Sequence, residues 1–230
     1  GPHSRYRDMA TSKAKAQTRK ARAGQIRTSF QTAKFDARPD RLDFRDLAYT
    51  PPLRSLAPCW PADDLLRDWL PRYIAADLVL DQGQQGACTG FGLACVINHL
   101  FWLRHLGAQT AAPFEPVSPR MLYELARRYD EWQGDSYEGS SCRGALKGWH
   151  KHGVCTDALW RYRGNDGDVR LLKPGPGWDI DAVTRPLGVY YRLNRKSVVD
   201  MQAAIQQIGA VYVSARAHDG WDRVPQVNTA

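Results

Sequence analysis

The pattern of apolar and polar positions predicts four helices and, toward the C-terminal end, two strands. The helices are residues 88–103, 118–129, 143–152 and 197–208. Ser118 and Pro119 suit an N-terminal cap and the first helical position, and Gly153 and Gly209 each follow the end of a helix. The strands, which alternate in polarity, are residues 188–193 and 210–216. Helices therefore come first along the chain, and strands begin only late in it.

Three stretches can be distinguished by composition. Residues 1–34 are polar, basic and rich in alanine, so we expect a disordered or transiently helical arm, whose first four residues, Gly-Pro-His-Ser, are the remnant of an expression tag. Residues 35–64 carry several prolines and charged side chains and predict an extended lead-in segment. Residues 65–230 are expected to form the folded domain, which is incomplete at its C-terminal end.

The arm and the domain differ in net charge. The chain has a formal net charge of +8, and +7 of it belongs to residues 1–29, which contain eight Lys and Arg and one Asp. Such an arm binds nucleic acid or an anionic membrane in some proteins and is a solvated leader in others. A third possibility is a leader that covers a cleft until it is removed. The high pI therefore describes the arm and not a basic face of the domain.

The cysteines and the absence of long apolar runs limit the class of protein. No run of 18 apolar residues occurs, so the sequence predicts no membrane-spanning helix. The cysteines are Cys59, Cys88, Cys95, Cys142 and Cys155. Their number is odd and no Cys-x-x-Cys spacing is present. We expect free thiols in a reducing compartment, cytoplasmic rather than secreted, and we expect neither a metal nor an organic cofactor.

The clearest candidate chemistry lies in residues 81–92, Asp-Gln-Gly-Gln-Gln-Gly-Ala-Cys-Thr-Gly-Phe-Gly. Gln82 precedes Cys88 by six residues, and Cys88 opens a predicted helix. A thiol in the first turn of a helix faces unpaired N–H groups and the positive end of the helix dipole, so we expect the pKa of Cys88 to be lowered. The Gln82 amide and the Cys88 backbone N–H could then hold a developing oxyanion. The alternative interpretation of Cys88 is a buried structural thiol beside a glycine turn.

This stretch resembles the active-site region of the papain-like cysteine peptidases, in which Gln-Gly-x-x-Gly-x-Cys precedes the central helix, and the lead-in segment is similar to that of bacterial members. The resemblance implies an α+β papain-like fold, with a helical half and the beginning of a β-rich half. It makes Cys88 the nucleophile and Gln82 the oxyanion-hole glutamine. Thr89 replaces the aromatic residue that usually follows the nucleophile, and Gln85 replaces a disulfide cysteine of many secreted members.

The same resemblance assigns a substrate-binding strip to the loop before the helix predicted at residues 143–152. The strip consists of Gly139, Ser140, Ser141 and Cys142. Gly139 and Ser140 are expected to offer backbone hydrogen bonds to an extended peptide, in the manner of an added strand. Ser141 and Cys142 are expected to border the pocket for the second side chain upstream of the cut. The alternative interpretation is a plain glycine-serine turn.

A thiolate nucleophile needs an imidazole beside it, and no histidine of the chain is well placed to supply one. His99 lies eleven residues after the nucleophile on the same predicted helix, roughly 16 Å away, and His150 and His152 end another helix. His218 directly follows the strand that, in the family, precedes the histidine's own strand. We therefore expect the histidine and asparagine to come from sequence beyond Ala230, either in a separate fragment produced by processing or in the missing part of a truncated chain.

These observations predict a papain-like cysteine endopeptidase that hydrolyses peptide or protein substrates and is inactive as an isolated fragment. Two other hypotheses remain open. The chain could be a non-catalytic papain-like scaffold that binds peptides in its cleft. It could also be an adaptor that binds nucleic acid or an anionic membrane through residues 5–29.

Overall fold

The computed structural model describes residues 34–53, 63–109, 112–132, 137–163 and 172–218. Lys34–Arg216 form one structural unit. A second unit joins Gly1–Ala33 to Ala217–Ala230, and of this unit only Ala217 and His218 are described. Residues 1–33 of the predicted arm, the predicted tag remnant and Cys59 therefore lie outside the described residues.

Helices are the main elements of the described unit. In chain order they are α1 (Asp63–Ala75), α2 (Cys88–Gly107), α3 (Pro119–Arg128), α4 (Cys142–His152), α5 (Trp178–Ala182) and α6 (Val198–Ile208). Two short strands, β1 (Ala37–Arg38) and β2 (Ser140–Ser141), pair in parallel. No helix of the described ranges is both long and apolar enough to cross a bilayer.

The core is formed where α2, α3 and α4 pack on one another. Its buried side chains from these helices are Leu93, Ala94, Ile97, Met121, Leu122, Leu125, Ala126, Ala145 and Trp149. Each large apolar side chain buried here contributes roughly 1.5–3 kcal/mol. Gly90 lets α2 approach α3 closely, because a Cβ atom at this position would lie 2.6 Å from the backbone nitrogen of Tyr123. This packing fixes the start of α2 within the molecule.

Serine residues cap the starts of two helices and glycine residues end two helices, at the positions that the sequence predicts. The side chain of Ser118 accepts a hydrogen bond from the Met121 N–H at 2.9 Å, with Pro119 as the first residue of α3. Ser197 caps α6 in the same way. Gly153 and Gly209 end α4 and α6 with φ of 70° and 100°, a conformation that suits glycine. The predicted helices are confirmed, with boundaries shifted by a few residues.

The two predicted strands are not formed within the described residues. Of residues 188–193, only Arg192 makes a β-bridge, with Ala48, and residues 210–216 have no regular strand pairing. These predictions were wrong because alternation reports the surroundings of side chains, whereas a strand exists only where a hydrogen-bonding partner lies beside it.

Residues 40–49, hereafter the anchor, tie the lead-in segment to distant parts of the unit. The Asp40 carboxylate accepts hydrogen bonds from the backbone N–H of Arg143 at 2.9 Å and from the Arg192 side chain at 3.2 Å. Asp46 pairs with the same two arginines. The Tyr49 N–H donates to the Arg192 carbonyl at 3.0 Å. The anchor is therefore an integral part of the packed structure.

Candidate active site

The structure places Cys88 at the first residue of α2, as the sequence predicts. A tight turn precedes it, in which Gly83 has a φ of 62° and its N–H donates to the Asp81 carboxylate at 2.8 Å. The thiol is half-buried and forms no disulfide. The start of the helix and the turn together hold the sulfur at the surface of the core.

The pKa of Cys88 is raised, contrary to the expectation from its helix position. Burial is the largest cause, and it outweighs backbone hydrogen bonds from Asp36, Thr89 and Ala37, which favour the thiolate. Burial removes water that would solvate the sulfur anion, and this penalises the charged form. The predicted lowering was wrong because the sequence does not reveal that another segment of the chain covers the thiol.

That segment is residues 34–39, hereafter the strap. The backbones of Asp36 and Ala37 hydrogen-bond to the Cys88 thiol. Lys34, at the start of the strap, forms an ion pair with Glu138 at 2.9 Å, which holds it beside the loop that carries the predicted substrate-binding strip. The strap therefore lies directly against the candidate nucleophile.

The Gln82 side chain donates hydrogen bonds into the same region. Its amide nitrogen lies 2.9 Å from the Lys34 carbonyl oxygen of the strap and 3.1 Å from the Gln85 carbonyl oxygen. The backbone carbonyl of Gln82 accepts a hydrogen bond from the Tyr162 hydroxyl at 2.7 Å, which fixes the position of the residue. The Gln82 amide therefore donates both to the strap and to the turn before α2.

The predicted strip from Gly139 to Cys142 carries an extended peptide segment, and that segment is the strap. Ala37 pairs with Ser140 and Arg38 with Ser141. At Gly139 a Cβ atom would lie 1.9 Å from the Asp36 carbonyl oxygen, so glycine permits this close approach.

Two serines of the strip also hold the loop in place. The Ser140 hydroxyl shares a hydrogen bond of 2.5 Å with the Thr89 hydroxyl, next to the nucleophile. The Ser141 hydroxyl caps α4 by accepting from the Gly144 N–H at 3.1 Å. These contacts fix the strip relative to the start of α2, so the strip and the thiol form one site.

Cys142 and Tyr212 form the buried side of the site. Burial raises the pKa of the Cys142 thiol, which also hydrogen-bonds to the side chains of Tyr212 and Ser214. The Tyr212 hydroxyl donates to the Thr89 carbonyl at 2.7 Å. Sequence reasoning did not find Tyr212, which lies 123 positions from Thr89 and shows no local motif.

The four histidines of the described unit are engaged away from the thiol. The contacts are His99 with the ring of Trp69, His105 with the ring of Phe114, His150 with the Gly188 carbonyl, and His152 with the Tyr129 hydroxyl. His218 belongs to the other structural unit. Within Lys34–Arg216 the site thus combines a thiol, an amide donor and a strip that pairs with the strap, and each histidine has another partner.

Comparisons with known proteins bear on the fold. No protein-family model and no curated protein sequence matches the chain. The solved structure of xylellain, a cysteine protease from Xylella fastidiosa, superposes with a TM-score of 0.53 at 22% sequence identity over 76% of this chain. Digestive procathepsin L 3 from the larval midgut of Tenebrio molitor gives a TM-score of 0.40 at 20% identity, over 56% of this chain and 37% of that one.

The superposition on xylellain shows that the chain has the α+β papain-like fold, as the sequence predicts. The chain spans 63% of the length of the xylellain chain.

Proposed function

We propose that this chain carries the nucleophile, the oxyanion-hole glutamine and the peptide-binding strip of a papain-like cysteine peptidase that hydrolyses peptide or protein substrates. One observation carries the proposal. An extended segment lies along the strip directly over the helix-start thiol of Cys88, while Gln82 donates to one of its carbonyl groups. A peptide substrate would need the same three elements.

In the proposed reaction an imidazole takes the proton of the Cys88 thiol, and the sulfur forms a bond to the substrate carbonyl carbon. The carbonyl oxygen becomes an oxyanion, which the Gln82 amide and the Cys88 backbone N–H stabilise. The peptide C–N bond then breaks as an imidazolium delivers a proton to the leaving amine. Water hydrolyses the resulting thioester, releases the carboxylic acid and restores the thiol.

The imidazole in this proposal comes from a segment outside the described residues, which carries the histidine and an orienting asparagine. This segment is either continuous with the chain or a separate fragment produced by proteolytic processing. The contacts that the four histidines within Lys34–Arg216 already make with other residues support this proposal. Apolar side chains of α6 that are exposed in the described unit also support it, because a further segment could cover them. They are Val198, Val199, Ile205 and Ile208.

Labelling of the native protein with a cysteine-directed peptidyl epoxide tests the proposal. We expect one label at Cys88, located by peptide mapping, together with hydrolysis of peptide substrates. Cys88→Ala should abolish both, whereas Cys95→Ala should keep both, because Cys95 is a free, half-buried thiol on the same helix. Hydrolysis that survives in Cys88→Ala would sink the proposal.

The second candidate function is a peptide-binding scaffold without turnover. The raised pKa of Cys88 favours it, because a thiol in its neutral form is a poor nucleophile. The same strip and cleft would then hold an extended peptide without cleaving it. Peptide binding by the native protein with neither epoxide labelling nor hydrolysis would decide for the scaffold.

The hypothesis of an adaptor that works through residues 5–29 concerns residues outside the described ranges and stays a prediction. It requires binding to nucleic acid or anionic vesicles that weakens steeply with salt and disappears when the arm is deleted. A cytoplasmic location also stays a prediction.

A further inference from the structure

The side chain of Arg38, in the strap, contacts two aromatic rings. The guanidinium carbon of Arg38 lies 3.7 Å from the centroid of the Tyr137 ring and 5.4 Å from that of the Trp132 ring. The face of an aromatic ring attracts a cation because its quadrupole places negative charge there. Trp132 and Tyr137 together, hereafter the aromatic clamp, therefore hold the only arginine of the strap.

The clamp is fixed by the wall of the cleft as well as by the strap. The Tyr137 hydroxyl donates to the Asp130 carboxylate at 2.5 Å, and the same buried carboxylate accepts from the Ser141 N–H at 3.0 Å. The indole N–H of Trp132 donates to the Pro39 carbonyl at 3.2 Å. The Tyr137 ring thus keeps its orientation through groups that belong to the strip.

The clamp lies close to the candidate nucleophile along the cleft. Arg38 pairs with Ser141 in the β1–β2 register, and its neighbour Ala37 hydrogen-bonds to the Cys88 thiol. A side chain held in the clamp is therefore one residue away from the position that faces the sulfur. Any extended chain that replaces the strap along β2 must place a side chain against the clamp.

The chemistry of the clamp favours a guanidinium group over an ammonium. A guanidinium is planar and weakly hydrated, so it stacks on a ring at little desolvation cost, whereas the lysine ammonium is compact and strongly hydrated. A second arginine, Arg41 of the anchor, lies 4.2 Å from the Trp132 ring. The Trp132 indole is thus in contact with one guanidinium group from the strap and one from the anchor.

We propose that Trp132 and Tyr137 form a guanidinium-binding subsite of the Cys88 cleft, filled by Arg38 within the chain and by an arginine side chain of an extended peptide in its place. The inference rests on the proposed function only in that the cleft receives peptides. It adds a preference for arginine at one position of the bound peptide.

The experiment uses Arg38→Gln, which removes the guanidinium of the strap from the Tyr137 ring and from its side of the Trp132 ring, while the anchor keeps the strap attached. Two synthetic probes are added: the peptide Lys-Phe-Asp-Ala-Arg-Pro-Asp, which copies residues 34–40, and the same peptide with citrulline, a neutral isostere, in place of arginine. Alkylation of Cys88 by iodoacetamide is followed by peptide mapping. We expect the arginine peptide to slow alkylation by half at a roughly five- to thirtyfold lower concentration than the citrulline peptide.

The clamp itself is tested by further variants in the same background. Trp132→Leu should reduce the difference between the two peptides, whereas Trp132→Phe should keep part of it, because a ring remains. The matched control is Arg45→Gln in place of Arg38→Gln, since Arg45 pairs with Asp43 outside the clamp. In that control Arg38 still occupies the subsite. Neither peptide should therefore slow the alkylation of Cys88 at the concentrations that are effective with Arg38→Gln.

If the arginine and citrulline peptides slow the alkylation of Cys88 equally, the subsite proposal is wrong. It is also wrong if the preference for the arginine peptide is undiminished in Trp132→Leu. No protection by either peptide at millimolar concentration would overturn it too. Because the readout is alkylation and not turnover, the two proposals fail separately. A protein that prefers the arginine peptide but never hydrolyses peptides refutes the peptidase proposal alone, and hydrolysis without that preference refutes the subsite alone.

Discussion

The Cys88 thiol experiences two opposing influences. Its position at the start of α2 and its backbone hydrogen bonds favour the thiolate, whereas burial under the strap favours the neutral thiol. Burial is the larger of the two, so the sulfur of this chain is a covered thiol. Ion-pair formation with an imidazole supplied from elsewhere, or removal of the strap, would be needed to reverse the balance.

The alkylation rate of Cys88 in this chain should therefore follow an alkaline titration. Between pH 6 and pH 8 we expect the rate to increase with pH without a plateau, because the thiolate fraction grows throughout this range. The rate is measured by quenching the iodoacetamide reaction at successive times and quantifying the alkylated Cys88 peptide by mapping. A plateau reached below pH 7 would contradict the raised pKa.

Arg143 links the anchor to the helical core. Its guanidinium, which is only 3% exposed, pairs with Glu131 at 2.6 Å and with Asp46 of the anchor, and it donates to the Arg41 carbonyl at 2.5 Å. Its backbone N–H also binds Asp40. One buried cation thus satisfies acceptors from the anchor and from the segment after α3.

Arg143→Met should destabilise the protein strongly, because it leaves the Glu131 carboxylate buried without its arginine. We expect a loss of roughly 3–5 kcal/mol in the free energy of unfolding, measured with urea. The matched control, Arg45→Met, removes the ion pair that the exposed Arg45 side chain makes with Asp43, and it should cost much less than Arg143→Met. Similar losses in the two variants would refute the role of Arg143.

The residues of the site differ in how well the sequence predicts them. Gln82, Cys88 and the strip are predictable because short motifs surround them. Asp36, Trp132 and Tyr212 are not, since each reaches the site through a contact between positions far apart in the chain. The helix position of Cys88 was predictable, but the direction of its pKa shift was not, because that shift depends on the strap.

At the scale of the elements, α2 packs closely against α3. Gly90 faces the backbone of Tyr123 with no room for a methyl group, and Leu122 and Leu125 of α3 belong to the same buried core as α2. The start of α2, which carries Cys88, is therefore positioned by this helix pair.

Gly90→Ala should force α2 and α3 apart. Its Cβ atom would lie 2.6–2.7 Å from Tyr123, and the clashing atoms include the backbone, which cannot rotate away. We expect a loss of roughly 1–3 kcal/mol in unfolding free energy. Gly107→Ala is the control at the other end of the helix, where the added Cβ meets nothing within 4 Å besides its chain neighbours and the nearby backbone of its own helix, and it should be neutral or slightly stabilising.

Helices and strands were predictable to different degrees for a physical reason. A helix satisfies its hydrogen bonds locally, so apolar spacing and caps such as Ser118 and Ser197 define it. A strand depends on a partner, and within the described residues the stretch around Arg192 finds only a single bridge to Ala48. Conversely, β1 forms in a lead-in segment whose sequence shows no alternation, because β2 offers it a partner.

At the scale of the whole molecule, Asp157 makes stability depend on pH. Burial is the main cause that raises the pKa of its carboxyl to about 6, with Asp77 adding to the shift and Arg161 opposing it. Because the folded state binds this proton more tightly than the unfolded state, the contribution of Asp157 to stability is greatest below pH 4. It is lost as the pH increases through about 6.

Asp157→Asn should therefore stabilise the protein at neutral pH. At pH 7.5 we expect a gain of up to roughly 3 kcal/mol in unfolding free energy, and the gain should fall to about 0.5 kcal/mol near pH 4, where the folded wild-type carboxyl is protonated. Urea unfolding of the two proteins at both pH values measures this. A gain that is the same at both pH values would mean that the carboxyl charge is not its cause.

The covalent attachment of the strap has a consequence for any ligand of the cleft. A group tethered a few residues from its binding site is present there at an effective concentration that reaches the millimolar range for short flexible linkers. A free peptide of equal intrinsic affinity must exceed that concentration before it occupies half of the molecules. Titrations at micromolar peptide would thus record no binding even if the cleft recognises the peptide. The tethered strap therefore sets the minimum peptide concentration at which binding can be observed.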